Sequence, residues 1–338
     1  MSQHASDPQG GSAIRLESVS KHYPGAVRHA VDGVSLSFDP GEFVVLLGPS
    51  GCGKTTLLKM VNRIYEPTSG QIFIDTMEVH DLPTEQLRRR IGYVIQQTGL
   101  FPHMRIRDNV AVVPRLLKWD RERISRRTTE LLDLVGLPAE DYAHRYPNQL
   151  SGGEQQRVGL ARAMAAEPSM MLMDEPFGAL DAITRTRLQD EVIKIHRQFR
   201  QTILFVTHDI EEAVRLADRI VVMREGRVVQ FGTPLEIVST PADGFVSELV
   251  GADDVLRRLS LLPVTAAIEP IERSQLNGEA SIEESAFLRD ALGKLIESGH
   301  SRLVVVDGNN TPIGVVTLDS VQSAASTQSH HEASQATT

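Results

Sequence analysis

A single cysteine, Cys52, stands among 338 residues, so no intrachain disulfide can form, and the disulfide framework of a small secreted domain is excluded. The composition suits a reducing compartment. No apolar run approaches the ~18 residues needed to cross a bilayer, since even "FVVLL" (43–47) is cut at once by Gly48 and Pro49. The first twelve residues, "MSQHASDPQGGS", have neither the basic start nor the apolar stretch of a signal peptide. Any membrane association is therefore expected to come through another subunit. Excess positive charge is also lacking. A formal net charge of -9 argues against a polyanion as main partner, and the arginine cluster "LRRR" (87–90) reads as a solvated helix face. His330 and His331 have no cysteine or carboxylate cluster of metal-site spacing beside them.

The length allows about two domains, and the apolar content is enough for real cores. Residues 1–13 are expected to be a disordered amino terminus. From residue 14, "IRLESVSKHY" and "AVDGVSLSFDPGEFVVLLG" alternate apolar and polar residues, with turn signals at Asp32-Gly33 and Pro40-Gly41. "FVVLL" is apolar throughout, as suits a strand covered on both faces. "QIFID" (71–75), "IGYVIQ" (91–96), "MMLMDEP" (170–176), "TILFVTH" (202–208) and "RIVVMREGRVVQFG" (219–232) read similarly, giving a mixed α/β sheet. Between about 103 and 168 helical segments take over, among them one capped by Asp120 and stopped by Gly136. From about residue 254 the character changes again. Residues 285–321 read as helix, buried strand, a turn at Asp307-Gly308, a second strand and a helix start, a small separate α/β unit. Residues 323–338 are low in apolar content and are expected to be a disordered tail.

Two glycine-rich stretches run into helices, and each could hold an anion. "GPSGCGKTT" (48–56) matches G-x-x-x-x-G-K-[ST] through Gly48, Gly53, Lys54 and Thr55, and it lies between an apolar strand and a helix. There, backbone N–H groups can wrap phosphates, Lys54 can bridge β and γ oxygens, and Thr55 can ligate Mg²⁺. Cys52 reads as a small filler in this loop. "MMLMDEP" puts Asp174 and Glu175 at the carboxyl edge of a buried strand, where Asp174 can hold Mg²⁺ through water and Glu175 can polarise an attacking water. His208 and Gln96 end two further strands and could reach the same edge, with Gln97 a one-residue rival to Gln96.

The second stretch, "LSGGEQQR", has the S-x-x-E spacing of a capping box in Ser151 and Glu154. A cap does not call for Gly152 and Gly153 beside it. Bare backbone that must touch a ligand does, and the helix dipole favours an anion at that end.

With these motifs in order, the chain resembles the ATP-binding-cassette family over about residues 14–250. The correspondence runs through "GPSGCGKTT" (Gly48, Pro49, Ser50, Gly51, Cys52, Gly53, Lys54, Thr55, Thr56) as Walker A, Gln96 as the Q-loop, and "LSGGEQQRV" as the signature. "MMLMDEP" stands as Walker B, "GALD" (178–181) as the D-loop, and His208 as the switch histidine. The resemblance implies a P-loop ATPase with a mixed sheet core and a helical subdomain at about 103–168. It implies ATP and Mg²⁺, the latter on Thr55, Gln96 and Asp174, with Glu175, His208 and Gln96 catalytic. Tyr23 would stack on adenine, and Asp181 would touch the opposing subunit. Two ATP molecules would lie between two cassettes, each against one chain's Walker A and the other chain's Ser151, Gly152, Gly153 and Glu154.

Within that family, "IGYVIQQTGLFPH" and "DNVAVVPRLLKW" look like ATPase subunits of importers for quaternary-amine osmoprotectants such as glycine betaine, choline and carnitine. "LRRLSLLPV" followed by the small unit at 255–322 resembles their cystathionine-β-synthase-type (CBS) modules, here one complete repeat with residues 255–280 a remnant. The family's ribose-binding aspartate would come three residues after Thr317, where Ser320 stands, so the module reads as a dimerisation or regulatory element. The implied assembly is a homodimer on the cytoplasmic face of the membrane, bound to permease subunits and served indirectly by an extracytoplasmic binding protein, with no nucleic acid. Subunits for another small amine or amino acid, and a soluble cassette ATPase acting on nucleic acid or ribosomes, are the alternatives.

Overall fold

The five residues Phe43–Leu47 form a strand in which every side chain is buried. Such a strand needs cover on both faces, and the chain around it supplies that cover. The computed structural model describes residues 10–95, 99–178, 180–251, 254–270 and 280–326. Two compact units meet in sequence at Phe231 and Gly232.

The first unit runs β1 (Ile14–Lys21), β2 (Val31–Phe38), β3 (Phe43–Leu47), α1 (Lys54–Val61), β4 (Ser69–Ile74), β5 (Met77–Glu78), α2 (Thr84–Arg89) and β6 (Ile91–Val94). The helical insertion follows as α3 (Ile106–Val110), α4 (Val112–Leu116), α5 (Arg121–Leu134), α6 (Ala139–Tyr142) and α7 (Gly152–Met164). The chain then returns through β7 (Met170–Asp174), α8 (Ala182–Phe199), β8 (Thr202–Thr207), α9 (Ile210–Leu216), β9 (Arg219–Arg224) and β10 (Arg227–Gly232).

The strands fall into two sheets, ordered β2-β1-β4-β5 and β10-β9-β3-β8-β7-β6. The first is antiparallel at β1/β2, β1/β4 and β4/β5. In the second, β3 pairs parallel with β8 and β9, and β7 pairs parallel with β6 and β8. Alternate residues of the parallel strands, Val44 and Leu46, Met170 and Leu172, Leu204 and Val206, join Leu16, Leu36, Phe38 and Ile72 of the other sheet in one core with α1. The expected turn at Asp32-Gly33 is instead a bulge inside β2. The register slips between the Val19–Val34 and Lys21–Val31 pairs, and Gly33 takes φ +62°, which a residue without Cβ adopts without strain.

The amino terminus departs from expectation where it is described. Ser12 is buried, its Oγ donating to Ser169 Oγ at 2.8 Å, and its carbonyl accepts from Thr202 Oγ1 at 2.6 Å. Ser12, and Ala13 through its N–H to Asp75 Oδ1 at 3.0 Å, are thus held by side-chain partners that local composition could not reveal; residues 1–9 lie outside the described residues.

The second unit holds α10 (Pro234–Ser239), α11 (Gly244–Val250), α12 (Val255–Leu259), β11 (Ser281–Glu283), α13 (Leu288–Ser298), β12 (Arg302–Val306), β13 (Pro312–Thr317) and α14 (Leu318–Ser326). Its sheet is ordered β11-β12-β13, parallel then antiparallel. The sequence places the domain boundary at 250–255, but α10 falls on the carboxyl-terminal side because Leu235 packs on that unit's core. Leu259, Leu262, Val264 and Ala267, in the stretch read as a remnant repeat, belong to the same core as Leu288, Leu303 and Val316. Residues 323–326 are helical, not tail, because Val321 and Ala325 are buried in that core; residues 327–338 and 271–279 lie outside the described residues.

Candidate functional site

Parallel pairing decides where the chemistry collects. Leu47 pairs with Thr207, Asp174 with Val206, and Val94 with Met173, so β3, β8, β7 and β6 end at one edge of their sheet. Gly48, Glu175 and His208 each come directly after such an end. That edge is where ligands gather in an open parallel α/β sheet.

The 48–56 loop is shaped for close approach of backbone. A Cβ on Gly53, at φ +112°, would lie 2.2 Å from Ala30 O, and one on Gly48 would lie 2.3 Å from Met223 O. No side chain fits at either place. Pro49, Ser50 and Gly51 are exposed, Cys52 is buried, and Thr55 and Thr56 are half-buried at the start of α1. Lys54 is 5% exposed, its Nζ donating to Gly48 O at 2.6 Å and Pro49 O at 3.0 Å, with Cys52 Sγ 3.7 Å away. A phosphate in the loop would compete with those carbonyls for the ammonium and gain from the N–H groups that open α1.

Thr55 Oγ1 donates to Asp174 Oδ1 at 2.7 Å, bringing together the two oxygen donors predicted from separate motifs. Burial pushes the Asp174 carboxyl up, the Glu175 charge adds to that, and the Thr55 hydroxyl and the charges of Lys59 and Lys54 oppose it. A hydroxyl and a carboxylate suit a hard cation such as Mg²⁺. Among the described residues no group of three His, Cys, Asp or Glu side chains could hold a metal, so an ion here would take its other oxygens from phosphate and water. Gln96 and Gln97 lie outside the described residues, β6 ending at Val94.

Glu175 takes φ +45°, a left-handed conformation costly for a residue with a side chain. It is fixed by Glu175 N donating to Val206 O at 3.0 Å and Gly178 N donating to Glu175 O at 3.3 Å. His208 Nδ1 stands 3.4 Å from Glu175 Oε1, joining the two candidates from different strands. Tyr23 is half-buried after β1, edge-on to Tyr65 with ring centroids 6.0 Å apart.

The signature residues form a separate cluster. Ser151 caps α7, its Oγ accepting from Glu154 N at 3.3 Å while Ser151 N donates to Glu154 Oε2 at 2.7 Å, the capping box read from the spacing. Tyr142 OH donates to Glu154 Oε1 at 2.7 Å. Although burial acts to raise it, the Glu154 carboxyl is held below its ordinary range by the Ser151 and Tyr142 hydrogen bonds and the Arg157 charge. The two glycines differ. A Cβ on Gly152 meets nothing within 4 Å, whereas one on Gly153 would lie 3.2 Å from Thr184 Cγ2 and 3.3 Å from Leu180 Cδ2. Asp181 caps α8 by accepting from Thr184 N at 3.0 Å.

Some neighbours of the site carry little local signal in sequence. Gly226 N, in the β9–β10 turn, donates to Cys52 O at 2.9 Å and supports the phosphate loop from behind. Arg185, Asp209 and Glu212 line a cavity of ≈ 50 Å³ with Glu175, Gly178, Thr207 and His208. Only the i, i+4 spacing of Arg185 from Asp181 and of Glu212 from His208 hinted at them. A larger cleft of ≈ 910 Å³ lies in the helical insertion among Arg107, Arg115, Trp119, Arg121 and Glu140, and none of the predicted nucleotide residues lines it.

In the second unit, Thr317 N donates to Ser320 Oγ at 3.0 Å and Ser320 N to Thr317 Oγ1 at 3.1 Å, so the position expected of a ribose-binding aspartate is spent capping α14.

Two family models match the chain, "ABC transporter" over residues 31–178 and "CBS domain" over residues 278–326. The chain is 47% identical over 308 residues to the glycine betaine/carnitine/choline transport ATP-binding protein OpuCA of Bacillus subtilis (strain 168), across 91% of this chain and 79% of that protein. It is 48% identical over 304 residues to the glycine betaine uptake system ATP-binding protein YehX of Escherichia coli (strain K12), across 90% of this chain and 97% of that one. Among solved structures, a dimeric ATP-binding cassette in a post-hydrolysis state with ADP and Pi superposes with a TM-score of 0.60 at 34% identity, over 65% of this chain and 98% of that one.

Proposed function

The chain belongs to the ABC transporter family, as an ATP-binding subunit with a carboxyl-terminal CBS domain, and on that premise we propose that it powers uptake of a quaternary-amine osmoprotectant through a separate permease. The single observation that carries the site reading is the parallel register, which brings the phosphate loop, Asp174, Glu175 and His208 to one sheet edge. The substrate class rests on the named relatives, whose uptake systems handle glycine betaine, carnitine and choline.

ATP hydrolysis is water attack on the γ-phosphate, driven mainly by positioning and electrostatic stabilisation. Gly48–Thr56 cradle the phosphates, Lys54 meets their charge, and Tyr23 packs on adenine. Thr55 and Asp174, with Gln96, would hold Mg²⁺, which would supply charge neutralisation at the phosphates. Glu175 takes the proton of the attacking water, and His208 steadies the γ-phosphate side of the site. Ser151, Gly152 and Gly153 serve the nucleotide of a second copy; within the chain Ser151 and Glu154 bond to each other and Glu154 to Tyr142, partners outside the phosphate loop. The dimeric state of the matched cassette structure supports that arrangement.

No helix among the described residues is long and apolar enough to cross a membrane. Attachment to the cytoplasmic face therefore runs through permease subunits, and an extracytoplasmic binding protein delivers the solute. The CBS-like unit regulates or dimerises rather than binding nucleotide, given the Thr317–Ser320 cap.

The test is uptake of labelled glycine betaine, choline and carnitine by cells carrying this chain with its permease and binding protein. Uptake lost in Lys54→Ala is the expected result. ATP-dependent uptake of an amino acid but of no quaternary amine would move the substrate to the alternative class. No co-purifying permease and no uptake would overturn the importer reading.

A further inference from the structure

The segment that carries His208 is bracketed by a buried polar cluster. Thr207 Oγ1 donates to Glu212 Oε2 at 2.7 Å, and Asp209 N donates back to Thr207 Oγ1 at 3.0 Å, so both neighbours of His208 are tied down. Glu212 is only 6% exposed, and Gln189 Nε2 donates to its Oε1 at 3.4 Å. Arg185 reaches this cluster from α8. Its Nη1 lies 3.6 Å from Asp209 Oδ2 and its Nε 3.9 Å from Glu212 Oε1, while Nη2 donates to Leu180 O at 3.2 Å. Arg185 Nε is buried with no hydrogen-bond partner among the described residues, so closing that 3.9 Å gap would satisfy a costly orphan donor. One guanidinium thus spans Leu180, just before α8, and Asp209, beside His208.

We propose that Arg185 is a positioning residue for hydrolysis, locking the 207–209 segment to the turn before α8 so that His208 stands against Glu175. The inference rests on the roles given above to Glu175 and His208. Among the described residues Arg185 bonds or pairs with Leu180, Asp209 and Glu212 and not with the phosphate loop, so it acts through another side chain. Leu180 also packs beside Gly153, and Asp181 is the residue expected to meet a second copy, so the same link carries any shift of that turn to His208. A planar fork suits this role because it meets a carbonyl and two carboxylates at once.

The experiment uses the full-length chain and steady-state ATP hydrolysis. Arg185→Met keeps the packing of the stem and removes the fork. The expected result is a kcat lower by about tenfold or more, as for a misplaced catalytic group, with KM for ATP within about twofold. Adding Arg185→Met to His208→Ala should cost nothing further, because the link acts only through His208. Thr207→Val should lower kcat in the same way and Thr207→Ser should restore it, which keeps the test alive if Arg185→Met does not fold. Losses that multiply in the double variant, or a kcat near wild type in Arg185→Met, would overturn the inference while leaving the site reading intact. Near-normal kcat in His208→Ala would overturn both.

Discussion

Glu175 shows how a single residue is made expensive and then useful. Its left-handed backbone conformation is imposed by bonds to Val206 and Gly178, and it turns the carboxylate toward His208. Glu175→Gln should still bind ATP and form the closed dimer but hydrolyse about 100-fold more slowly or worse, read by nucleotide binding and phosphate release. Near-normal phosphate release would remove it as the base. His196 is a residue of another kind, packed edge-on to Phe43 with Nε2 2.9 Å from Gly41 O. Burial holds its imidazolium below the ordinary 6.5, outweighing the help of Gly41 O and Asp218. The unfolded chain therefore takes up the proton first as pH falls, so stability drops as pH goes below 6.5 and is regained as it rises. Replacing His196 by Gln should flatten that slope in denaturation curves; an unchanged slope would assign the acid sensitivity elsewhere.

At the scale of elements, α7 carries two first-turn glycines for two different reasons. Gly153 is tight against Thr184 and Leu180, a packing constraint within the chain, whereas Gly152 faces open space. Alanine at 152 should therefore stabilise the chain by about 0.5–1 kcal/mol through helix propensity. If Gly152 is bare so that a partner's phosphate can approach, the same variant should lose hydrolysis. A more stable protein with impaired turnover, compared by denaturant midpoint and ATPase rate, is the expected pair of results. Normal turnover would make Gly152 dispensable. The capping box, the α5 cap at Asp120 and the buried β3 were all legible because each is set by residues within one turn or strand. The Gly33 bulge was not, since Asp-Gly signals a turn only until a neighbouring strand takes its backbone bonds.

For the whole molecule, the proposed use of the α7 cap on a second copy's nucleotide means that a working site needs two chains. Lys54→Ala and Ser151→Arg should each be inactive alone, with monomer ATP binding spared in the second. Mixing them should return hydrolysis, because one of the two composite sites in the mixed dimer then pairs an intact Lys54 with an intact Ser151. Silence of the mixture would contradict the two-chain reading. The carboxyl-terminal unit begins earlier than its composition suggested, since Leu235 belongs to its core. A chain ended after residue 254 should thus keep an uncovered apolar helix and aggregate more than one ended at 232, measured by light scattering.

Local spacing determined much by itself: the phosphate loop, the paired carboxylates, the capped α7 and the buried strands are written in residues a few positions apart. Tertiary structure decided the rest, because it depended on partners far along the chain. Parallel pairing set Thr55 against Asp174 and Glu175 against His208 across separations of 119 residues and of 33, the latter counted from the residue numbers. Burial chose between the two glycines, anchored Ser12 under Ser169, and drew Arg185 and Glu212 to the site without any motif to announce them. A motif can be read where its chemistry is local. Which side chains stand behind it follows from the sheet that brings distant segments to one edge.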